Sequence, residues 1–152
     1  QREVLESVVE DDRVAEAVRV KEWMVLALNP HDNHGLRESL ARQYLELGRV
    51  DDALRLAERY PRDMAPMQYT RALALFMAGR QADAAVALGQ AKQDYPELFR
   101  MLVHANPRRP PLHAEHISVG GKDEAWYYRE DHLALWQKSG ALEWARAGKG
   151  RK

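Results

Sequence analysis

Two histidine pairs have the spacing of metal ligands, His31-x-x-His34 and His113-x-x-His116. Imidazoles three residues apart on a helix can share a zinc ion, and Asp32 or Glu115 could add an oxygen. A His-dependent metal site at His113 and His116 is therefore one alternative to test. Against it, no His-Glu-x-x-His is present and neither pair falls in a clear helical pattern. Histidines in polar loops usually serve as solvated or capping groups. The reading gives no metal ligand set and no cofactor.

Residues for covalent chemistry are sparse. There is no cysteine, so disulfides, thiolate metal sites and a Cys nucleophile are all excluded. The hydroxyls Ser7, Ser39, Thr70, Ser118 and Ser139 lie in no nucleophile elbow. Gly120-Gly121 reads as a turn, not a phosphate cradle. The carboxylate pairs Asp11-Asp12 and Asp51-Asp52 read as helix starts, because acids favour the first turn of a helix. The expectation is a protein that is not an enzyme.

Charge narrows the partners. Lys+Arg and Asp+Glu are 23 each, a net charge of zero, which argues against nucleic acid because that affinity rests on neutralised phosphates. Arg108-Arg109 among prolines reads as a solvated linker. No window approaches the roughly 20 apolar residues that span a bilayer, so no membrane segment is expected. Freedom from cysteine fits a cytoplasmic setting. The chain begins at Gln1, which reads as a fragment or a processed product.

The elements that would position any site are helical. Val4, Leu5, Val8 and Val9 predict a first short helix, and Glu10-Asp11-Asp12 the start of a second. That second helix carries Val14, Val18, Val25 and Leu28 on one face and stops at Asn29-Pro30. Trp23 reads as a packing residue within it. Asp32 or Asn33 would cap the next helix, which Gly48 closes. A following helix spans about Val50 to Arg59 and ends at Tyr60-Pro61. The next pair opens at Asp63 to Pro66, turns at Gly79 and ends at Tyr95-Pro96.

These two pairs repeat. Leu40-Ala41-x-x-Tyr44-x-x-x-Gly48-Arg49-x-x-Asp52-Ala53-x-x-x-Ala57 is answered by Ala72-x-x-Leu75-x-x-x-Gly79-Arg80-x-x-Asp83-Ala84-x-x-x-Leu88, at a constant offset of 31 residues. A fixed period of that size marks stacked supersecondary units. Small residues at Ala41, Ala53, Ala72 and Ala84 let paired helices approach, with Tyr44, Leu75 and Leu88 filling the space. Beyond Pro96 the repeat stops. Glu97 to His104 predicts a short helix, and Asn106 to Pro111 an extended segment. A helix from near Asp123, with Ala125, Trp126, Tyr128, Leu133 and Trp136, and a last one with Leu142 and Trp144, supply bulk to cover an open end.

The doubled pattern resembles the tetratricopeptide repeat. Ala41 and Ala72, Tyr44 and Leu75, Gly48 and Gly79, and Ala53 and Ala84 stand at the family's small, large, turn and second-helix positions. Ala91 and Pro96 match its closing positions in the second repeat. Arg37 and Gln68 replace its signature Trp, and the period falls short of the usual ~34. The order Pro30-x-Asp32-Asn33-x-Gly35-Leu36-Arg37, the helix pairs, a Pro-rich segment, Asp123-Glu124-Ala125-x-x-Tyr128, Trp136 and Gly140-Ala141-Leu142 is similar to the suppressor-of-tumorigenicity family and its uncharacterised bacterial relatives. The resemblance implies an all-α fold, a right-handed superhelix of antiparallel, tetratricopeptide-like helix pairs with an aromatic C-terminal helical cap. One domain over 1–147 is expected: N-terminal helices or a half repeat (1–30), repeat 1 (31–61), repeat 2 (62–96), and the Pro-rich segment with the cap (97–147). A disordered tail, 148–152, follows.

The resemblance also implies a concave face lined by the first helix of each pair. Carried over by position, it gives Glu38, Arg42, Leu45 and Glu46 on a charged wall beside Gly35. Tyr69, Leu73, Phe76 and Met77 form an apolar strip beside Pro66. The function implied is a non-catalytic scaffold module binding a protein or peptide. The competing occupants of the groove are the chain's own terminal helix or a homodimer mate. The alternatives are the His-dependent metal site and a structural domain of a larger multidomain protein.

Overall fold

The computed structural model describes residues 2–28, 34–61 and 63–148, and all the regular structure among them is helical. Helix α1 spans Arg2–Trp23 and runs into a π-helical segment, Met24–Leu28. There follow α2 (His34–Glu46), α3 (Val50–Glu58), α4 (Ala65–Met77) and α5 (Gln81–Asp94). α6 (Pro96–Val103) precedes an irregular segment, 104–121, and then α7 (Lys122–Ser139) and α8 (Ala141–Ala147). Asn29-Pro30, the Asp32 and Asn33 caps, His31 and the tail beyond Gly148 lie outside the described residues.

The repeated Gly-Arg-x-x-Asp-Ala has the same geometry in both copies. Gly48 (φ 74°) and Gly79 (φ 79°) take the left-handed conformation that glycine adopts without a Cβ penalty. The next residue's N–H reaches back to satisfy a terminal carbonyl, Arg49 to Tyr44 at 2.7 Å and Arg80 to Leu75 at 2.9 Å. Each Arg then pairs with the Asp three residues on, Arg49 with Asp52 at 2.8 Å and Arg80 with Asp83 at 3.0 Å. Ala53 and Ala84 are buried, as are Ala41 and Ala72 opposite them. Small residues thus line the seams where α2 packs on α3 and α4 on α5.

Proline and glycine mark the remaining boundaries. α4 carries Pro66 in its first turn, and Pro96 opens α6 one residue earlier than expected, where a missing N–H costs nothing. Gly140 (φ 84°) separates α7 from α8. Consecutive helices from α2 to α8 pack side by side, and α7 also touches α2 and α4, while α8 touches α4 and α6. The core runs through this stack, with Trp136, Tyr69, Leu40, Met67, Leu73 and Leu75 its largest fully buried side chains.

Two expectations at the N-terminus are corrected. Glu10-Asp11-Asp12 does not start a helix; α1 runs straight through it. Residues 1–28 hold no Gly or Pro, the three acids are exposed, and an Asp inside a helix costs only about 0.5 kcal/mol. Trp23 is not a packing residue here: it is 59% exposed. Val18 and Val25 are buried, and Trp23 lies off that face of the helix.

A buried ion pair ties α2 to the loop before α4. Arg37 grips Asp63 through two hydrogen bonds of 2.7 Å, with both residues buried, and its guanidinium lies 4.0 Å above the Tyr60 ring. Asp63 also accepts the Met64 N–H at 2.8 Å and holds Gln68 through its carbonyl at 3.0 Å. Arg37 and Gln68 thus fasten the two helix pairs by polar contacts.

Candidate functional site: an acidic cleft between α2 and α7

The apolar strip expected as an open groove is filled. Tyr69 and Leu73 are completely buried, and so is Leu45. The Tyr128 ring of α7 stands 6.2 Å from Tyr69, and Trp144 of α8 stacks on Phe76 at 4.9 Å. Met77 packs against the same core. Apolar side chains on one face of a helix must be covered, and the chain's own C-terminal helices cover these. Polar contacts fix the arrangement: Trp136 Nε1 donates to Tyr128 Oη at 3.1 Å, and Tyr128 Oη lies 3.1 Å from Thr70 Oγ1. Tyr69 Oη donates to the Tyr95 carbonyl at 2.8 Å. Burial pushes both phenols well above their ordinary range.

The charged wall has a different fate. Arg42 lies 3.6 Å from Glu46 on its own helix and 3.4 Å from Asp131 on α7. One turn earlier, Glu38 has no hydrogen-bond or ion-pair partner among the described residues. It faces a cavity of about 350 Å³ between α2, the start of α4 at Pro66, the 113–117 segment and α7. α7 contributes Glu124, Tyr127, Tyr128, Asp131 and His132 to the wall; His113, Ala114 and Ile117 close it from the side. Of the predicted groove residues, Glu38 and Pro66 meet here, Arg42 sits at the rim, and the rest lie elsewhere.

The turn before α7 sets the cleft's geometry. The Asp123 carboxylate accepts the Ser118 N–H and the Glu124 N–H, each at 2.9 Å, and these backbone bonds hold its carboxyl below the usual range. Gly121 donates to the Ser118 carbonyl at 2.8 Å. A Cβ at Gly121 would come within 2.8 Å of Ser118 Cβ and 2.9 Å of Asp123 Oδ1, so glycine alone fits. Glu124 Oε1 accepts the Gly120 N–H at 3.1 Å, which aims the carboxylate back along the cleft wall.

Three groups have unusual protonation. Burial, with the charges of Asp63 and Glu124 adding and Arg37 opposing, raises Glu38 to about 7. Burial and the charge of Asp123 raise Glu124 too. His132 is only 6% exposed, and burial, with the positive charge of Arg42 adding, lowers it to about 4. Its ring stacks on Tyr128 at 3.9 Å, and Nδ1 lies 2.9 Å from the Tyr128 carbonyl. A carbonyl can only accept, so that bond puts the proton of the neutral ring on Nδ1. Nε2 is then a bare lone pair with no partner among the described residues, on a ring that lines the cleft.

Sequence reasoning missed Glu124, Asp131 and His132. One signal was present. Ala125, Tyr128, His132 and Trp136 are all buried and follow one another at helical spacing, so His132 is a titratable residue on an otherwise apolar stripe. The histidine pair His113 and His116 stacks ring on ring at 4.9 Å, and among the described residues no three His, Cys, Asp or Glu are placed to hold a metal ion. Among them, too, no helix is long and apolar enough to cross a membrane. No family model matches the chain, and no curated protein or solved structure matches it either.

Proposed function

We propose that this chain is a non-catalytic binding module that holds a peptide segment of another protein in the cleft between α2 and α7. Its framework is read as a short right-handed superhelix of tetratricopeptide-like pairs, α2–α3 and α4–α5, in the manner of the suppressor-of-tumorigenicity family. α7 and α8 then form the aromatic cap. The doubled helix-closing geometry at Gly48 and Gly79 supports that reading. With the cap seated on Tyr69, Leu73 and Phe76, recognition moves from the concave face to the cleft beside it.

The observation that carries the proposal is the cleft's wall. It combines unpartnered acceptors, Glu38 and His132 Nε2, with apolar and aromatic surface from Pro66, Ala114, Ile117 and Tyr127. Ligand sites have this mixture, apolar lining with a few placed polar groups, and a volume near 350 Å³ accommodates one or two side chains.

Peptides selected from a random display library on the folded protein test it. Ala114→Trp places an indole in the cleft from an exposed position. The selected peptides should bind this variant at least tenfold more weakly while its melting temperature is unchanged. A library that yields only peptides binding Ala114→Trp as well as the parent, or none at all, overturns the proposal.

A further inference from the structure

We infer that the cleft receives an alkylammonium group, the side chain of a lysine in the bound peptide, drawn in by the Glu38 carboxylate, with Glu124 and His132 lining the same cavity. This rests on the peptide-binding reading above and names its specificity.

Elimination leads to that chemistry. Anions meet three carboxylates, Glu38, Glu124 and Asp131, while the cations beside them are engaged, Arg37 by Asp63 and Arg42 by Asp131 and Glu46. A neutral apolar side chain would leave Glu38 and the His132 lone pair shut away from water without partners, a cost that selects against it. A metal ion lacks a set of three ligands among the described residues. An organic cation complements the carboxylates on the wall. His132 is the most telling group beside them: a nine-tenths buried imidazole, proton fixed on Nδ1, presents a pure acceptor to the cavity. Tyr127 adds an aromatic ring to the wall, a side chain type that favours a cation.

The acceptors come from different directions, Glu38 from α2 and His132 and Glu124 from α7. A tetrahedral ammonium with three rotatable donors serves such a set, whereas a planar guanidinium pairs best along one carboxylate edge.

Binding should release a proton. In the empty cleft, burial and its acidic neighbours keep Glu38 near half-protonated at neutral pH. An ammonium group beside it favours the ionised form. The groups facing Glu38 are Arg37 and Arg42 on its own helix, Asp63 before α4, His113 on the 104–121 segment, and Glu124, Tyr127, Tyr128, Asp131 and His132 on α7. Only ionised Glu38 attracts the ligand, so affinity should rise about tenfold from pH 6 to pH 8 and level off above.

The probe is a blocked alanine–glycine hexapeptide with one lysine, titrated into the full chain and followed by the His132 Nε2 and Glu38 carboxyl resonances. Companion probes replace lysine by norleucine, acetyl-lysine or arginine, and butylammonium and spermidine are tested free. The lysine peptide should bind at least tenfold more tightly than its norleucine and acetyl-lysine counterparts, and more tightly than the arginine peptide. Its affinity should show the tenfold pH rise, lost in Glu38→Gln and kept in His113→Asn. Norleucine binding as well as lysine, or arginine binding better, overturns the ammonium assignment and leaves the peptide reading standing. Free butylammonium or spermidine matching the peptide keeps the ammonium site and overturns the peptide reading. If none of the probes moves the two resonances, the inference is wrong.

Discussion

Replacing Glu38 by Gln should stabilise the protein, and only at neutral pH and above. Glu38 is raised from the ordinary carboxyl value of 4.5 to about 7 because burial and the charges of Asp63 and Glu124 penalise its ionised form. The folded state therefore binds this proton more tightly than the unfolded chain does. Stability from Glu38 is fully present below pH 4.5, is lost as pH rises from 4.5 to about 7, and stays lost above that. At 1.36 kcal/mol per pH unit the full loss is about 3 kcal/mol, which solvent at the cleft mouth reduces to about 2 kcal/mol. Gln has nearly the shape of the protonated acid and never ionises. Urea denaturation of both proteins from pH 4.5 to pH 8 measures the effect. The variant's advantage should grow from near zero to about 2 kcal/mol, or about 4–8 °C in melting temperature. Using the difference between the two proteins cancels every other titrating group. An advantage that does not change with pH, or a variant less stable than the parent at pH 8, refutes the reasoning. On the proposed reading the same substitution should also abolish the pH slope of ligand binding, Glu38 then exchanging stability for function.

Two further substitutions test the frame around the cleft. Arg37→Met removes the guanidinium from a buried, bidentate pair and leaves the Asp63 carboxylate without it, at a cost of about 3–5 kcal/mol in urea denaturation; a loss under about 1 kcal/mol would mean that the pair is dispensable. Leu73→Asp puts a carboxylate at a fully buried position beneath the C-terminal helices and should unfold the protein at room temperature, a loss above about 4 kcal/mol. On an open groove the same change would leave the melting temperature nearly untouched, so near-parental circular dichroism and melting would refute the filled-groove arrangement.

What was legible in the sequence was local. Gly48, Gly79 and Gly140 close helices because only glycine takes positive φ cheaply, and Pro66 and Pro96 open them because a first-turn residue needs no N–H donor. Both constraints act within a few residues, so boundaries read from them matched α3, α4, α5 and α8 closely. Glu10-Asp11-Asp12 misled because the preference of acids for a helix start is worth under about 1 kcal/mol and cannot interrupt a chain lacking Gly and Pro. The site was only half legible. Glu38 stands half-buried on α2, but its surroundings arrive from far along the chain: Thr70 and Tyr128, bonded across the α4–α7 seam, are separated by 58 residues. Periodicity says which face of α4 is apolar and is silent about which distant helix covers it.

That long-range coverage also explains why a charged cleft exists at all. Tyr69, Leu73 and Phe76 draw α7 and α8 onto α4, and apolar burial of this kind is non-directional. It brings along whatever borders the strip. On α2 the border is Glu38 and Arg42; on α7 it is Glu124, Asp131 and His132. At one end the two borders match, Arg42 against Asp131. At the other they do not: Glu38 and Glu124 line one cavity with the imidazole of His132, and the cation that acts on Glu38, Arg37, is held by Asp63. Packing energy holds together groups that would separate if free, and the raised value of Glu38 records its burial first and the repulsion from Asp63 and Glu124 second. Such a mismatch is what a folded protein shows where something outside the chain completes it. On the proposed reading, a lysine ammonium would do for Glu38 and Glu124 what Arg42 does for Asp131.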